Sequence, residues 1–247
     1  MKGVRYNFGV YHWRRRARTI ALGALGVGVG VAGVRRCSSR RWRLLAAGVG
    51  LWGASVGGGT VRRLASPPPW RLDGRKYEAL TAELPVDTAS RLLDVGCGTG
   101  RSLVGLAPAV PPDCTVVGVD VFDDRVILGN GPRLARRNAA RAGLDAAVVR
   151  GDAARVPVAA DAVDVVTLSR VLHDLSPENA RRALVEAHRV CAPDGALGVL
   201  ELPFPHDASA DPATYWRDLV ADAGFTVTTV AEHSLDRGRY FVVVGEP

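Results

Sequence analysis

Leu92 to Gly100 reads L-L-D-V-G-C-G-T-G, and no other stretch of the 247 residues restricts the fold as much. An apolar run ends on glycines at alternate positions, and Arg101–Ala109 after it has the composition of a helix. Glycine lets a chain turn sharply at the carboxyl end of a strand and pass close to a ligand. Strand, glycine turn and helix in that order begin a βαβ unit. The spacing is G-x-G-x-G, which differs from the G-x-G-x-x-G of dinucleotide binders. Asp94 lies two residues before the first glycine, where an acid is placed to meet a cationic ligand.

The alternation continues downstream. TVVGVD (115–120), AAVVRGD (146–152), AVDVVTLS (162–169), ALGVLEL (196–202), FTVTTVAE (225–232) and YFVVVGE (240–246) read as further strands. Helices are expected near 101–109, from Pro132 (a favourable first helical residue), over Pro177–Cys191 and over Thr214–Ala223, closed by Gly224. Continuous Val and Leu runs, rather than alternating ones, indicate a mostly parallel sheet with helices on both faces, an α/β fold of Rossmann-like kind. With 47% hydrophobic but only 6% aromatic residues, its core is built from Val, Leu and Ala. Asp120 ends the second strand, where a carboxylate accepts from both hydroxyls of a ribose. Asp152 ends the third, where it is placed to accept from an adenine amine. Either acid alone is more often a cap or a solvated loop residue. Together with Asp94 they stand at successive strand ends, which line one crevice.

LLDVGCGTGRS (92–102), VVGVD (116–120), the stretch 149–175 and ALVEAHRVCAPDGALGVLE (183–201) carry a resemblance. Over roughly 77–247 the chain resembles the class I S-adenosylmethionine-dependent methyltransferases, and among them the quinone-biosynthesis branch. The resemblance implies a seven-stranded sheet whose last strand runs antiparallel, and S-adenosyl-L-methionine as cofactor. It places Asp94, Gly96, Cys97, Gly98, Thr99, Gly100, Asp120, Val121, Asp152, Ala153 and Ser169 around that cofactor. Asp94 and Gly96–Gly100 fall at the methionine moiety, Asp120 at the ribose, Asp152 with Ala153 at the adenine, and Ser169 opposite the methyl group. Two departures matter. Phe122–Gly131 is loop-like where the family has a longer helix, and this loop is expected to shape the substrate mouth. Only PFPHDASADP (203–212) follows the fifth strand, so the substrate pocket is shallow or is completed by the N-terminal region or a bilayer.

Methyl transfer needs chiefly in-line positioning and desolvation, and a base only where the acceptor must lose a proton. His173, just past the fourth strand, is the candidate base, with a capping or surface imidazole as the plainer alternative. Glu201 either touches substrate or is a buried, hydrogen-bonded acid, and His188 reads as structural. After the fourth strand stands Ser169-Arg170-Val171-Leu172, with neither an Asp/Asn-Pro-Pro-Tyr element nor a Pro-Cys nucleophile, which disfavours amino-base and cytosine C5 methylation. The scattered Cys37, Cys97, Cys114 and Cys191 support no zinc site, disulfide framework or arsenic-binding thiolate set, and no metal is expected. Two readings compete with methyl transfer: a nucleotide-dependent oxidoreductase on a similar fold, and a non-catalytic membrane scaffold that retains the pocket.

The N-terminal third has another texture. Residues 1–76 hold 16 Lys or Arg against the single acid Asp73, whereas 77–247 hold 16 against 24 acids. The basic charge therefore flanks apolar segments instead of covering the folded domain, which favours lipid headgroups over nucleic acid as partner. Those segments, 19–34 and 44–61, carry Gly26-x-x-x-Gly30 and Gly53-x-x-x-Gly57, a spacing that lets helices approach closely in lipid. A hydrophobic helical hairpin with a nine-residue turn, RRCSSRRWR, is expected, membrane-associated and with both ends cytoplasmic, since the outer flanks carry 11 positive residues against 5 in the turn. A cleaved export signal is the rival, countered by Arg35, Arg36 and the second apolar segment. The expected organisation is a membrane region 1–66, a Pro-rich linker 67–76 and a methyltransferase domain 77–247 acting on a small, hydrophobic or lipid-like acceptor.

Overall fold

Buried parallel strands must be covered on both faces, and the apolar positions of 72–247 are distributed to do so. A computed structural model describes residues 6–65, 70–235 and 238–247. Two compact units form: one from Leu72–Phe122 and Asn130–Pro247, the other from Asn7–Arg71 and Asp123–Gly129.

The first unit holds α3 (Arg75–Thr81), β2 (Arg91–Val95), α4 (Arg101–Leu106), β3 (Thr115–Asp120), α5 (Pro132–Arg141), β5 (Ala146–Arg150), β6 (Val163–Ser169), α6 (Pro177–Val190), β7 (Cys191–Glu201), α7 (Pro212–Ala221), β8 (Thr226–Leu235) and β9 (Gly238–Glu246). The strand order is β5-β3-β2-β6-β7-β9-β8. All pairings among the first five are parallel, and β9 runs antiparallel to both β7 and β8. Strand parity divides the core. Leu92, Val116 and Val165 pack with Tyr77, Leu80, Leu103 and Ala135 of α3, α4 and α5. Leu93, Val95, Val166 and Leu168 pack with Leu184 and Ala187 of α6 and Trp216 and Val220 of α7. The seven-stranded sheet with helices on both faces and an antiparallel last strand is thus present. The order reverses between β2 and β6, and ligands of open α/β sheets lie outside the carboxyl ends of the strands at such a point.

Some boundaries differ from expectation. The helix α3 begins at Arg75, inside the expected linker; its seven residues are too short to show a periodic pattern. The third strand ends at Arg150 and not at residue 152, because Asp152 turns away to bridge Arg155. Helix α6 stops at Val190, and β7 starts at Cys191 without a connecting loop.

The second unit contains β1 (Val10–Tyr11), α1 (Trp13–Arg36), α2 (Arg40–Ala65) and β4 (Ile127–Leu128). Both helices exceed the apolar runs of 16 and 18 residues because they continue through the flanking arginines. The connection is therefore Cys37–Ser39, three residues in place of nine. At about 1.5 Å per residue the helices span roughly 36 and 39 Å, enough for a hydrocarbon core of about 30 Å. Both are long and apolar enough to cross a membrane. Their buried residues are glycines alone: Gly23, Gly26 and Gly30 in α1, Gly53 and Gly57 in α2. A Cβ on Gly30 would lie 2.5 Å from the Gly50 Cα, and one on Gly23 2.6 Å from the Gly57 Cα. The helices thus meet backbone to backbone in antiparallel order, while Leu22, Leu25, Trp42, Leu45, Leu51 and Trp52 stay exposed. Pro67, Pro68 and Pro69 of the expected linker and the basic residues Lys2 and Arg5 lie outside the described residues.

Candidate active site

The turn after β2 is held by the neighbouring strand. The Gly96 and Cys97 amides both donate to the Val119 carbonyl, at 2.7 and 3.1 Å, and the Gly100 amide donates to Cys97 O at 2.8 Å. Gly96, Gly98 and Gly100 all have positive φ, at 77°, 52° and 78°, a conformation glycine adopts without penalty. They differ in what surrounds them. A Cβ on Gly96 would strike the Val171 side chain, and one on Gly100 the Ala135 backbone. Above Gly98 there is room, with Asp120 Oδ2 the nearest atom at 3.9 Å.

Asp120 closes β3 beside that opening. Its Oδ2 accepts from the Gly98 amide at 2.9 Å and its Oδ1 from the Phe122 amide at 2.6 Å, and the Asn130 side chain also bonds the carboxylate. Burial raises its pKa above the usual carboxylate value, against the opposing effect of these donors. Asp152 is exposed beyond β5, and its Oδ1 accepts from the Ala154 amide at 2.9 Å, an Asx turn. Val121 is exposed next to Asp120, and Ala153 is half-buried next to Asp152.

Asp94 lies elsewhere than its motif position suggests. It is fully buried, accepting from the Ser102 hydroxyl and, at 2.9 Å, from the Thr167 hydroxyl across the β2–β6 pairing. Burial pushes its carboxyl up to about 7, the two hydroxyls opposing. Its carboxylate thus fastens the start of α4 and strand β6 beneath the glycine turn. Cys97 and Thr99 are buried in that turn, and Thr99 O accepts from the Asn138 side chain at 2.8 Å.

At the end of β6 the Ser169 hydroxyl is buried without a hydrogen-bond partner, as is Arg170 Nε. Arg170 has φ 63°. The next turn brings His173 to Glu201 at the end of β7. His173 Nδ1 is 2.6 Å from Glu201 Oε2, which also accepts from the Leu202 amide at 3.0 Å; Oε1 accepts from the Val171 and Leu172 amides at 2.8 and 2.7 Å. Asp174 Oδ1 stands 3.6 Å from His173 Nε2. Burial pushes the imidazolium down, but the Glu201 hydrogen bond and charge outweigh it and the pKa rises. Glu201 is therefore the buried, hydrogen-bonded acid of the two alternatives. His206 pins the following loop, with Nδ1 at 2.7 Å from the Tyr215 hydroxyl and Nε2 at 2.9 Å from Leu175 O.

Sequence reading overlooked Thr167, Ser102 and Asn130. Thr167 was detectable as the polar residue in an otherwise apolar stretch of strand, since a buried hydroxyl requires a partner. Asn130 had no signal beyond lying between two glycines. Among the described residues, no group of His, Cys, Asp and Glu has metal-binding geometry.

Residues 92–195 match the family model described as a methyltransferase domain. Demethylmenaquinone methyltransferase of Lactobacillus johnsonii is 30% identical over 123 residues, which cover 50% of this chain and 48% of that protein. Arsenite methyltransferase of Halobacterium salinarum is 31% identical over 140 residues, 55% of this chain and 33% of that one. The chain thus spans about half the length, or less, of these curated relatives. The crystal structure of a SAM-dependent methyltransferase from Aquifex aeolicus superposes with a TM-score of 0.55 at 23% identity, over 68% of this chain and 88% of that one, and shares the fold. With the strand order, the glycine turn and the acid at the end of β3, these matches identify residues 92–195 as a methyltransferase domain, similar to the class I S-adenosylmethionine-dependent methyltransferases and among them to the quinone-biosynthesis branch.

Proposed function

We propose that this protein transfers a methyl group from S-adenosylmethionine to a small acceptor with an apolar body, while its N-terminal hairpin is seated in a lipid bilayer. The observation that carries the reading is the opening above Gly98, bounded by the Asp120 carboxylate. The donor set fits the cofactor: an acid at a strand end for vicinal hydroxyls, a glycine whose missing Cβ leaves space, and an unpartnered Ser169 hydroxyl on the next strand. When bound, the cofactor supplies an electrophilic methyl group carried on a sulfonium. Asp120 would accept from the ribose hydroxyls and Asp152 from the adenine amine, with Val121 and Ala153 alongside. Asp94 acts on the cofactor by fixing the turn of Gly96–Gly100 from below.

For an acceptor that must lose a proton, His173 is the base. Its Nδ1–H donates to Glu201, which leaves Nε2 to take the proton, and Glu201 stabilises the resulting imidazolium. Exposed Phe204, just beyond the end of β7, supplies apolar surface for the acceptor's body. Arsenite fits less well, because it is gathered by thiolates. Burial raises the thiols of Cys97, Cys114 and Cys191, the last to about 12, and Cys37 belongs to the hairpin. The hairpin's outward leucines and tryptophans, with arginines at both ends, match a membrane interior between charged surfaces. The surplus of basic residues on the outer flanks favours a cytoplasmic catalytic unit.

Calorimetric titration of S-adenosylhomocysteine into the full chain in detergent tests the cofactor site. Micromolar affinity, about −8 kcal/mol, is expected for the native protein, with a loss of tenfold or more in Asp120→Ala. A folded native protein that takes up no cofactor would overturn the proposal.

A further inference from the structure

Arg170 occupies a backbone position at which glycine would be unstrained. Its φ is 63°, in the left-handed region that long side chains rarely enter. The surroundings impose this conformation. The Arg170 amide donates to Leu200 O at 2.7 Å, and the next two amides, of Val171 and Leu172, donate to Glu201 Oε1. Val171 in turn fills the space above Gly96, where a Cβ would strike the valine side chain. The turn after β6 is thus pinned to β7 and to the glycine turn, and residue 170 is strained whatever its side chain. Strain of this kind gathers at functional sites.

The Arg170 side chain is half-buried, and its Nε–H is buried without a hydrogen-bond partner. Leaving a buried donor of a charged group unmade is costly. The two buried acids at this end of the sheet are committed elsewhere. Asp94 serves the Ser102 and Thr167 hydroxyls, and Glu201 serves His173 and three amides. The charge of Arg170 acts on the His173 imidazole and on the Tyr77 hydroxyl of α3. Tyr77 is buried, with the Lys76 ammonium 5.2 Å from its ring centre and 5.4 Å from that of Tyr240 at the start of β9. The guanidinium therefore stands near both the candidate base and an aromatic, cationic wall.

We infer that Arg170 determines acceptor specificity by receiving an anionic oxygen, so that the protein methylates acids or ionised phenols with an apolar body in preference to their neutral counterparts. The inference rests on the reading of the crevice beside Ser169 and His173 as the place of methyl transfer. The planar fork of guanidinium donors matches a carboxylate through two parallel bonds, and a phenolate through one. An anion docked there satisfies the buried Nε–H and orients the acceptor beside His173.

The test loads the full chain in detergent with S-adenosylhomocysteine and titrates it calorimetrically at pH 8. The probes are 2-naphthoate and 4-nitrophenolate, each with a neutral isostere, 2-naphthamide and 4-nitroanisole. The native protein is expected to take up at least one anion about tenfold more tightly than its isostere, the margin of one hydrogen bond to a charged group. A margin for 2-naphthoate alone assigns the oxygen to a carboxylate, and one for 4-nitrophenolate alone to a phenolate. Arg170→Gly removes the guanidinium and relieves the backbone, so it is expected to lose the margin while its melting temperature holds or rises. Arg170→Lys keeps the charge without the fork and is expected to retain part of the margin. The affinity for S-adenosylhomocysteine is expected to be the same in all three proteins. Native protein that does not distinguish either anion from its isostere, or a margin that survives in Arg170→Gly, would overturn the inference. So would a tenfold loss of cofactor affinity in Arg170→Gly, which would assign the guanidinium to the cofactor's own carboxylate. A folded native chain that takes up no S-adenosylhomocysteine fails the cofactor reading and the inference with it, and the failures are thereby told apart.

Discussion

Replacing Glu201 by Gln changes one atom in the most heavily bonded side chain of the site. The carboxylate accepts four hydrogen bonds from inside a fully buried position. In the variant the single amide oxygen can serve the Val171 and Leu172 amides, and the NH2 group then faces the Leu202 amide and His173 Nδ1. Facing donors at Leu202 leave one buried N–H unsatisfied, at about 1–3 kcal/mol. The remaining bonds lose their charge assistance, which roughly halves their strength. Together this amounts to about 3–4 kcal/mol, or about 10 °C in melting temperature for a domain of this size. The imidazole must respond as well. His173 can pair with an amide NH2 only by accepting at Nδ1, so its proton moves to Nε2, the atom that would act as base. Its pKa, now raised by the Glu201 hydrogen bond and charge against the pull of burial, falls towards or below the ordinary imidazole value. A raised histidine stabilises the fold fully below its unfolded pKa and loses that contribution as pH climbs through the folded one. The melting gap between native and variant protein is therefore widest in acid and narrows above neutrality. Titration of the imidazole resonances by NMR, with calorimetric melting from pH 5 to 9, measures both. A His173 titration that stays within half a unit of the native curve, in a variant that melts early, would refute the assignment of Glu201 as the group that holds and orients the imidazole.

Asp94→Asn probes the buried acid beneath the turn. Because its folded pKa is raised to about 7, the native state keeps a proton that the unfolded chain releases, so native stability falls as pH rises from about 4 to 7. The variant lacks that slope and gains up to about 4 kcal/mol relative to native at pH 8; melting curves that run parallel across this range would contradict it. In the hairpin, Gly30→Ala forces a methyl against the Gly50 backbone, whereas a Cβ on Gly28 meets nothing within 4 Å. Gly30→Ala is expected to separate the helices and expose them to protease in detergent, while Gly28→Ala gains roughly 0.5–1 kcal/mol of helix stability. Equal behaviour of the two variants would show that the glycine contact does not join α1 to α2.

The sheet was legible because its strands are continuous Val and Leu runs and each ends on a residue of distinctive chemistry, Gly96, Asp120 or Ser169. The helical hairpin was legible from the glycine spacing, although the contact also recruits Gly23 and Gly50, outside the two G-x-x-x-G repeats. Asp94 shows what a motif conceals: its position marks the glycine turn, but whether a carboxylate faces outward or inward depends on side chains contributed by α4 and β6. Glu201 was undecidable for the same reason, since its four donors come from two loops. The pairing of Val10 and Tyr11 with Ile127 and Leu128 left no trace at all. Two-residue strands have no period, and a link across more than a hundred residues has no local signature.

That pairing makes the N-terminal unit discontinuous along the gene. A membrane tag joined end to end can be gained, lost or exchanged by one recombination event between the proline segment and the domain. Here the heritable module is two pieces, Asn7–Arg71 and Asp123–Gly129, separated by the strand that carries the glycine turn. A hairpin transplanted alone onto a related enzyme arrives without the segment its first turn is built to hold, and an enzyme stripped of it keeps a loop shaped for a missing neighbour. Descendants of this chain are therefore constrained to alter the two pieces in step.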